Sequence, residues 1–174
     1  MQKRANATTL KGTGLTLVGP ALKAGDKAPD FTCATGMMDK LSLAGTPAKA
    51  RLFSVVPSLD TKVCNIQTKH FNEALGALKD SVACYTVSMD LPFAQGRYCG
   101  AEGITTMKTL SDTHDHSFGQ NYGVLIEGVA MPLLSRAVFV VDAKGTIAHA
   151  EYVMEIVDEP NYDAAMAALK KAVG

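Results

Sequence analysis

The sequence predicts an α/β fold: a central mixed β-sheet flanked by α-helices, with an N-terminal β-hairpin. Three observations point there. An apolar run, a helical segment and a second apolar run succeed one another over residues 51–88, the order of a βαβ unit. A strand hairpin and a closing helix follow over residues 136–173. Near the N-terminus, a weakly alternating segment sits among glycines.

The elements follow in chain order. Residues 12–18, GTGLTLV, read as a strand of the N-terminal hairpin. Residues 23–32 are turn-rich and lead into a short segment near Cys33. Residues 51–56, RLFSVV, fit a buried strand, and Pro57 ends it because proline has no N–H for a central ladder. Over residues 63–79 the apolar positions Val63, Ile66, Phe71, Ala74, Leu75 and Leu78 recur at helical spacing. Gly76 weakens that helix by about 1 kcal/mol relative to alanine. Residues 82–88, VACYTVS, form the second core strand. Asp90 to Phe93 starts a loop, followed by a short helical or irregular stretch through Cys99. A third strand fits residues 107–111 and a short helix residues 116–122. The strand RAVFVVD, the turn Ala143-Lys144-Gly145 and TIAHAEYV make a hairpin. A helix from Tyr162 to Val173 closes the chain, with Asp158, Glu159 and Asp163 suited to the positive end of its dipole. An early βαβ unit followed by ββα suggests a thioredoxin-like arrangement.

Composition bounds the function. A chain of 174 residues predicts one domain, 1–174, long enough to bury a core without disulfides. Lysine plus arginine and aspartate plus glutamate both number 17, so net charge is zero with histidine neutral. That leaves no overall electrostatic case for nucleic acid or an anionic membrane, and it permits self-association. No apolar run approaches the ~18–20 residues that span a bilayer. The first eleven residues begin basic but turn polar, without an apolar core of a signal peptide, so a cytoplasmic location is expected. Four cysteines (Cys33, Cys64, Cys84, Cys99) are too few for a disulfide scaffold; in a reducing compartment a pair of them points to chemistry.

Pro57 to Cys64 runs from a strand end through a turn into the first turn of a helix. A sulfur there feels the positive helix end and unpaired backbone N–H groups. Both favour the thiolate over a thiol whose ordinary pKa is about 8.5. Thr61, three residues earlier, can bring its hydroxyl to the sulfur. The same pattern also fits a buried helix cysteine preceded by a threonine N-cap. Cys99 lies in a polar, glycine-flanked setting unlike that of Cys84, which sits in an apolar run. Cys64 and Cys99 are too far apart for a CxxC dithiol, which weakens a general thiol–disulfide oxidoreductase reading.

Pro57-x-x-x-Thr61-x-x-Cys64 resembles the active-site motif of peroxiredoxins. DLPFAQGRYCGAEG, from Asp90 to Gly103, resembles the resolving-cysteine segment of the thiol peroxidase subfamily. Ser135 to Asp142 resembles the family's arginine strand. The similarity runs from about Gly12 to the C-terminal helix. It implies an atypical two-cysteine peroxiredoxin that reduces hydrogen peroxide and alkyl hydroperoxides, is recycled by thioredoxin and forms a homodimer. By the same resemblance Cys64 is the peroxidatic nucleophile and Cys99 the resolving cysteine of the same chain. Thr61 would hydrogen-bond sulfur and peroxide. Arg136 would supply a permanent positive charge, and Pro57 would shield the pocket from water. The sulfenic acid formed at Cys64 would condense with Cys99, with Gly96, Gly100 and Gly103 suited to the local unwinding this needs. A peroxide-sensing switch or scaffold using the same cysteine pair is the alternative.

The remaining signals read as structural. Cys84 is expected in the core and Cys33 near a strand. His70, six residues after Cys64, is not one turn away and is not expected to act as its base. Tyr98 is interfacial or packing. His114 and His116 beside Asp112 and Asp115 offer ligand types, but no partner pair has zinc-site spacing. No cofactor is expected. The eight methionines read most simply as core filler, with a few left to line a lipid-hydroperoxide pocket.

Overall fold

Two faces of one sheet organise the chain. The computed structural model describes residues 1–174. Strands β1 (Lys3–Leu10) and β2 (Thr13–Val18) form the N-terminal hairpin. Then come β3 (Thr32–Ala34), β4 (Lys40–Ser42), β5 (Ala50–Val55) and α1 (Lys62–Ala74). Next are β6 (Val82–Ser88), α2 (Pro92–Glu102), β7 (Lys108–Ser111), α3 (Ser117–Asn121) and β8 (Leu125–Glu127). The chain ends with β9 (Ala137–Val141), β10 (Ile147–Tyr152) and α4 (Tyr162–Val173). Seven strands make the central sheet in the order β10-β9-β5-β6-β7-β3-β4, and β1-β2-β8 make a smaller one. Pairs β5–β6 and β6–β7 are parallel and the others antiparallel, so the central sheet is mixed, as expected. No helix is long and apolar enough to cross a membrane.

Strand β5 is buried at all six positions because strands cover both its edges and helices both its faces. Alternation then sorts its side chains. Phe53 and Val55 join Phe139 and Val141 in one apolar cluster with Phe118 of α3 and Tyr122 just after it. Leu52 joins Val138 and Val140 in the other, with Phe71 of α1, Tyr98 of α2 and Leu169 of α4. The β9–β10 turn forms as its residues predict. Gly145 takes φ +85°, and the Asp142 carboxylate accepts from the amides of Lys144 and Thr146. Asn161 caps α4 by accepting from the Ala164 amide.

Several boundaries differ from the sequence reading. Helix α1 stops at Ala74; Gly76 opens a separate 3-10 turn through Leu78 instead of sitting inside a longer helix. The segment through Cys99 is a regular helix from Pro92, with proline in its first turn and Gly103 (φ +66°) as its left-handed cap. The N-terminal residues are a full strand. The methionine expectation fails for most of the eight: Met1, Met37, Met38, Met131 and Met154 are exposed, and Met107 is the buried one.

Candidate active site

The register between β5 and β9 builds the site. Val55 pairs with Ala137, so Arg136 stands where the chain leaves β5 for the turn of Pro57 to Thr61. That turn enters α1, whose third residue is Cys64. Pro57, Thr61, Cys64 and Arg136 therefore meet at one end of the central sheet. Cys64 is completely buried, and so, nearly, is Arg136 at 2% exposure.

The Cys64 sulfur has two donors. The Thr61 Oγ1 lies 2.7 Å away and the Arg136 Nη2 3.4 Å away. Thr61 occupies the N-cap position of α1, yet its side chain makes no capping bond to the helix. Its hydroxyl is instead placed between the sulfur and the Ser58 carbonyl oxygen, 2.9 Å off. It carries one proton for two acceptors. With Cys64 as a thiol, the hydroxyl can accept the S–H and donate to Ser58. With Cys64 as a thiolate, it donates to sulfur. The hydroxyl thus serves both protonation states without moving.

Arg136 is buried without a carboxylate partner. Its Nε donates to the Ile156 carbonyl at 2.8 Å, and its Nη1 to Gln67 Oε1 at 2.8 Å. Gln67 in turn donates to Ser54 Oγ at 2.8 Å. The guanidinium is oriented by neutral acceptors, so its positive charge is left for the sulfur. A charge buried in this way is costly unless an anion faces it. A thiolate at Cys64 meets that condition.

Two residues in this network escaped the sequence reading. Gln67 carries the weak signal of a polar side chain one turn after a cysteine, on a face that must be buried. Asp90 sits just beyond β6 and holds the cysteine turn. Its carboxylate accepts from the Ser58 hydroxyl, the Leu59 amide and the Ser88 hydroxyl at 2.7–2.8 Å.

A cavity of about 330 Å³ opens on Pro57, Thr61 and Arg136. Its walls are apolar, with Leu10 and Leu15 from the hairpin and Val129, Leu133, Ile156 and Val157 from later loops. The N-terminal hairpin therefore furnishes part of the wall beside the buried sulfur.

Cys99 lies on α2, half-buried against the apolar cluster that contains Cys64. Burial raises its thiol pKa. All four cysteines are free thiols. Cys84 sits in β6, its pKa pushed up to about 12 by burial. Cys33 lies in β3, 3.7 Å from the Asp112 carboxylate, and burial plus that negative charge push its pKa up further. Both are suited to packing and poorly suited to attack. Tyr98 packs in the same apolar cluster as Cys64. His70 is exposed and stacks on Tyr162, with ring centroids 3.7 Å apart. No group of three His, Cys, Asp or Glu side chains is arranged to hold a metal ion.

The chain is similar to known proteins over most of its length. The Redoxin family profile matches residues 23–166. A thiol peroxidase of Bacillus subtilis is 49% identical over 165 residues, covering 95% of this chain and 97% of that protein. One from Streptococcus pneumoniae is 50% identical over 162 residues, covering 93% and 98%. The crystal structure of a peroxiredoxin-like protein from Aquifex aeolicus superposes with a TM-score of 0.88 at 40% identity, over 97% of each chain. A thiol peroxidase from Chromobacterium violaceum, at 19% identity, shares the fold with a TM-score of 0.81 over 94% of this chain and 95% of that one.

Proposed function

This chain belongs to the Redoxin family and is a peroxidase of the peroxiredoxin class, and from that premise we propose its catalytic cycle and substrates. The observation that carries the proposal is the buried Cys64 sulfur flanked by one hydroxyl and one guanidinium donor. The Cys64 thiolate attacks the terminal oxygen of a hydroperoxide. The S–O bond forms as the O–O bond breaks, and the departing oxygen leaves with the bonding pair. It takes up a proton to become an alcohol, or water from hydrogen peroxide. Arg136 and Thr61 direct positive charge and a hydroxyl proton at the oxygens as negative charge develops there. Pro57 keeps water from the turn. Cys64 is then a sulfenic acid. The Cys99 thiolate attacks its sulfur, an intrachain disulfide forms, and hydroxide leaves and is protonated to water. Thioredoxin returns both cysteines to thiols by exchange.

The apolar cavity supports alkyl hydroperoxides as substrates beside hydrogen peroxide, because its walls would bury a hydrocarbon tail. The whole cycle uses side chains alone and calls for no cofactor. Exposed Leu91 and Phe93 at the start of α2 offer apolar surface for the homodimer that the family resemblance implies. A cytoplasmic setting fits a cysteine pair that must be kept reducible.

The test is multiple turnover with excess peroxide and a thioredoxin system. Wild type is expected to turn over many times, and Cys64→Ser not at all. A single stoichiometric oxidation would favour the peroxide-sensing switch instead, and full turnover by Cys64→Ser would remove Cys64 from the reaction.

A further inference from the structure

The chain buries a second arginine with no carboxylate partner. Arg51, at the start of β5, is 5% exposed. Its Nη1 donates to Thr46 Oγ1 at 3.0 Å and its Nη2 to the Asp142 carbonyl at 2.6 Å. Its Nε, fully buried, has no partner. The ion pairs of the structure, Lys3–Glu127, Lys69–Glu102 and His149–Glu151, do not include it. At Arg136 the same arrangement faces the Cys64 sulfur. At Arg51 it faces an open cavity of about 650 Å³.

That cavity lies at the far end of the sheet from Cys64. Five residues of extended chain from Arg51 to Val56 span about 17 Å. Lys27 and Lys144 stand at its rim, both exposed, and both line it with Arg51. One carboxylate also lines it, that of Asp30, whose Oδ1 already accepts from the amides of Phe31 and Leu43. Three cations against one anion leave a formal charge of +2 around the space. Ala28, Leu43 and Ala44 supply apolar wall.

We propose that this cavity binds a small phosphate monoester, its phosphoryl group among Arg51, Lys27 and Lys144 and its organic body against Ala28, Leu43 and Ala44. A phosphoryl dianion matches a +2 site, whereas a carboxylate supplies half that charge. Each Arg51 Nη carries a second N–H beyond its bond to Thr46 or Asp142 that can donate to a phosphoryl oxygen, and the burial of Arg51 strengthens that contact. The site is separate from the peroxide chemistry and does not depend on that reading.

The test is calorimetric titration of the full chain with phenyl phosphate, inorganic phosphate and phenol at matched ionic strength. Phenyl phosphate is expected to bind one per chain with a dissociation constant of about 1 mM or lower. Inorganic phosphate should bind more weakly and phenol not at all. Lys27→Ala with Lys144→Ala should weaken phenyl phosphate binding by about tenfold or more, while peroxidase turnover stays unchanged. Arg51→Met should abolish binding. Because Arg51 is buried and that variant can misfold, the surface double variant carries the test independently. Absence of saturable binding overturns the proposal, as does affinity unchanged in the double variant. Equal affinity for inorganic and phenyl phosphate overturns the apolar subsite.

Discussion

Gln67 Oε1 accepts from Arg136 Nη1 at 2.8 Å, so the guanidinium facing the Cys64 sulfur is steered from the same helix that carries the sulfur. Gln67 is three residues, about one turn, after Cys64, and both are completely buried. The relationship makes sulfur and guanidinium one unit: α1 cannot shift without moving both.

The first prediction separates charge from position at this contact. In Gln67→Glu the acceptor remains but becomes an anion, pairing with Arg136 and drawing its charge from the sulfur. The rate of Cys64 oxidation near neutral pH should fall by about tenfold or more, and the pH–rate profile should move alkaline. Gln67→Leu loses the orienting bond and leaves the Nη1 donor unpaired, which costs about 1–3 kcal/mol of stability. Stopped-flow oxidation across pH distinguishes the two variants. A Gln67→Glu profile that overlays wild type would show that Arg136 does not act through its charge.

Much of the framework was legible because its signals were local. The β5 and β6 runs and the β9–β10 turn are each written in contiguous residues, and the closing helix lies where the sequence predicts it, from Tyr162 to Val173. Strand β1 was not, because seven of its eight residues are only partly buried or exposed and Asn6 breaks its run with φ +53°. Strands β3, β4 and β8 have three residues each, too short to show a period. Helix α2 was diluted by Gly96 and Gly100, although Pro92 marked its start. At the site, Thr61 and Cys64 were visible as neighbours on one turn. Arg136 needed the family resemblance, and Gln67 was hidden because its partner lies 69 residues away.

The second prediction concerns those glycines. A Cβ at Gly96 or Gly100 would meet nothing within 4 Å, so packing does not require either. Each costs α2 about 1 kcal/mol relative to alanine. If Cys99 reaches Cys64 by unwinding of α2, Gly96→Ala with Gly100→Ala should raise the Tm yet slow disulfide formation by about tenfold. The initial attack on peroxide should be unaffected, and more Cys64 should proceed to sulfinic acid under excess peroxide. Mass spectrometry after timed quenching reads all three species. Disulfide formation at the wild-type rate would place the motion outside α2.

The third prediction follows from Asp112, fully buried, whose carboxyl is raised from 3.8 to about 6 by burial. It accepts from the amides of Phe118 and Gly119 at the start of α3, which only partly offsets the burial. A folded-state value above the unfolded one means the folded chain holds the extra proton. This group's contribution is therefore fully present below about pH 4 and is lost as pH rises through about 6, a change of about 3 kcal/mol. Glu151 and Asp115 are shifted downward and act in the opposite sense, stabilising above the unfolded value and losing that contribution as pH falls. The whole-protein profile mixes these slopes, so the informative quantity is the stability gap between wild type and Asp112→Asn. Asparagine has no proton to release, so its own contribution does not vary with pH, and it replaces with one carbonyl oxygen the two oxygens that accept from Phe118 and Gly119, a loss of about 1–3 kcal/mol. The gap should therefore be widest near pH 4 and narrow toward pH 7, as measured by urea unfolding at each pH. A gap that stays constant would mean that Asp112 remains ionised throughout, held down by the two amides against its burial.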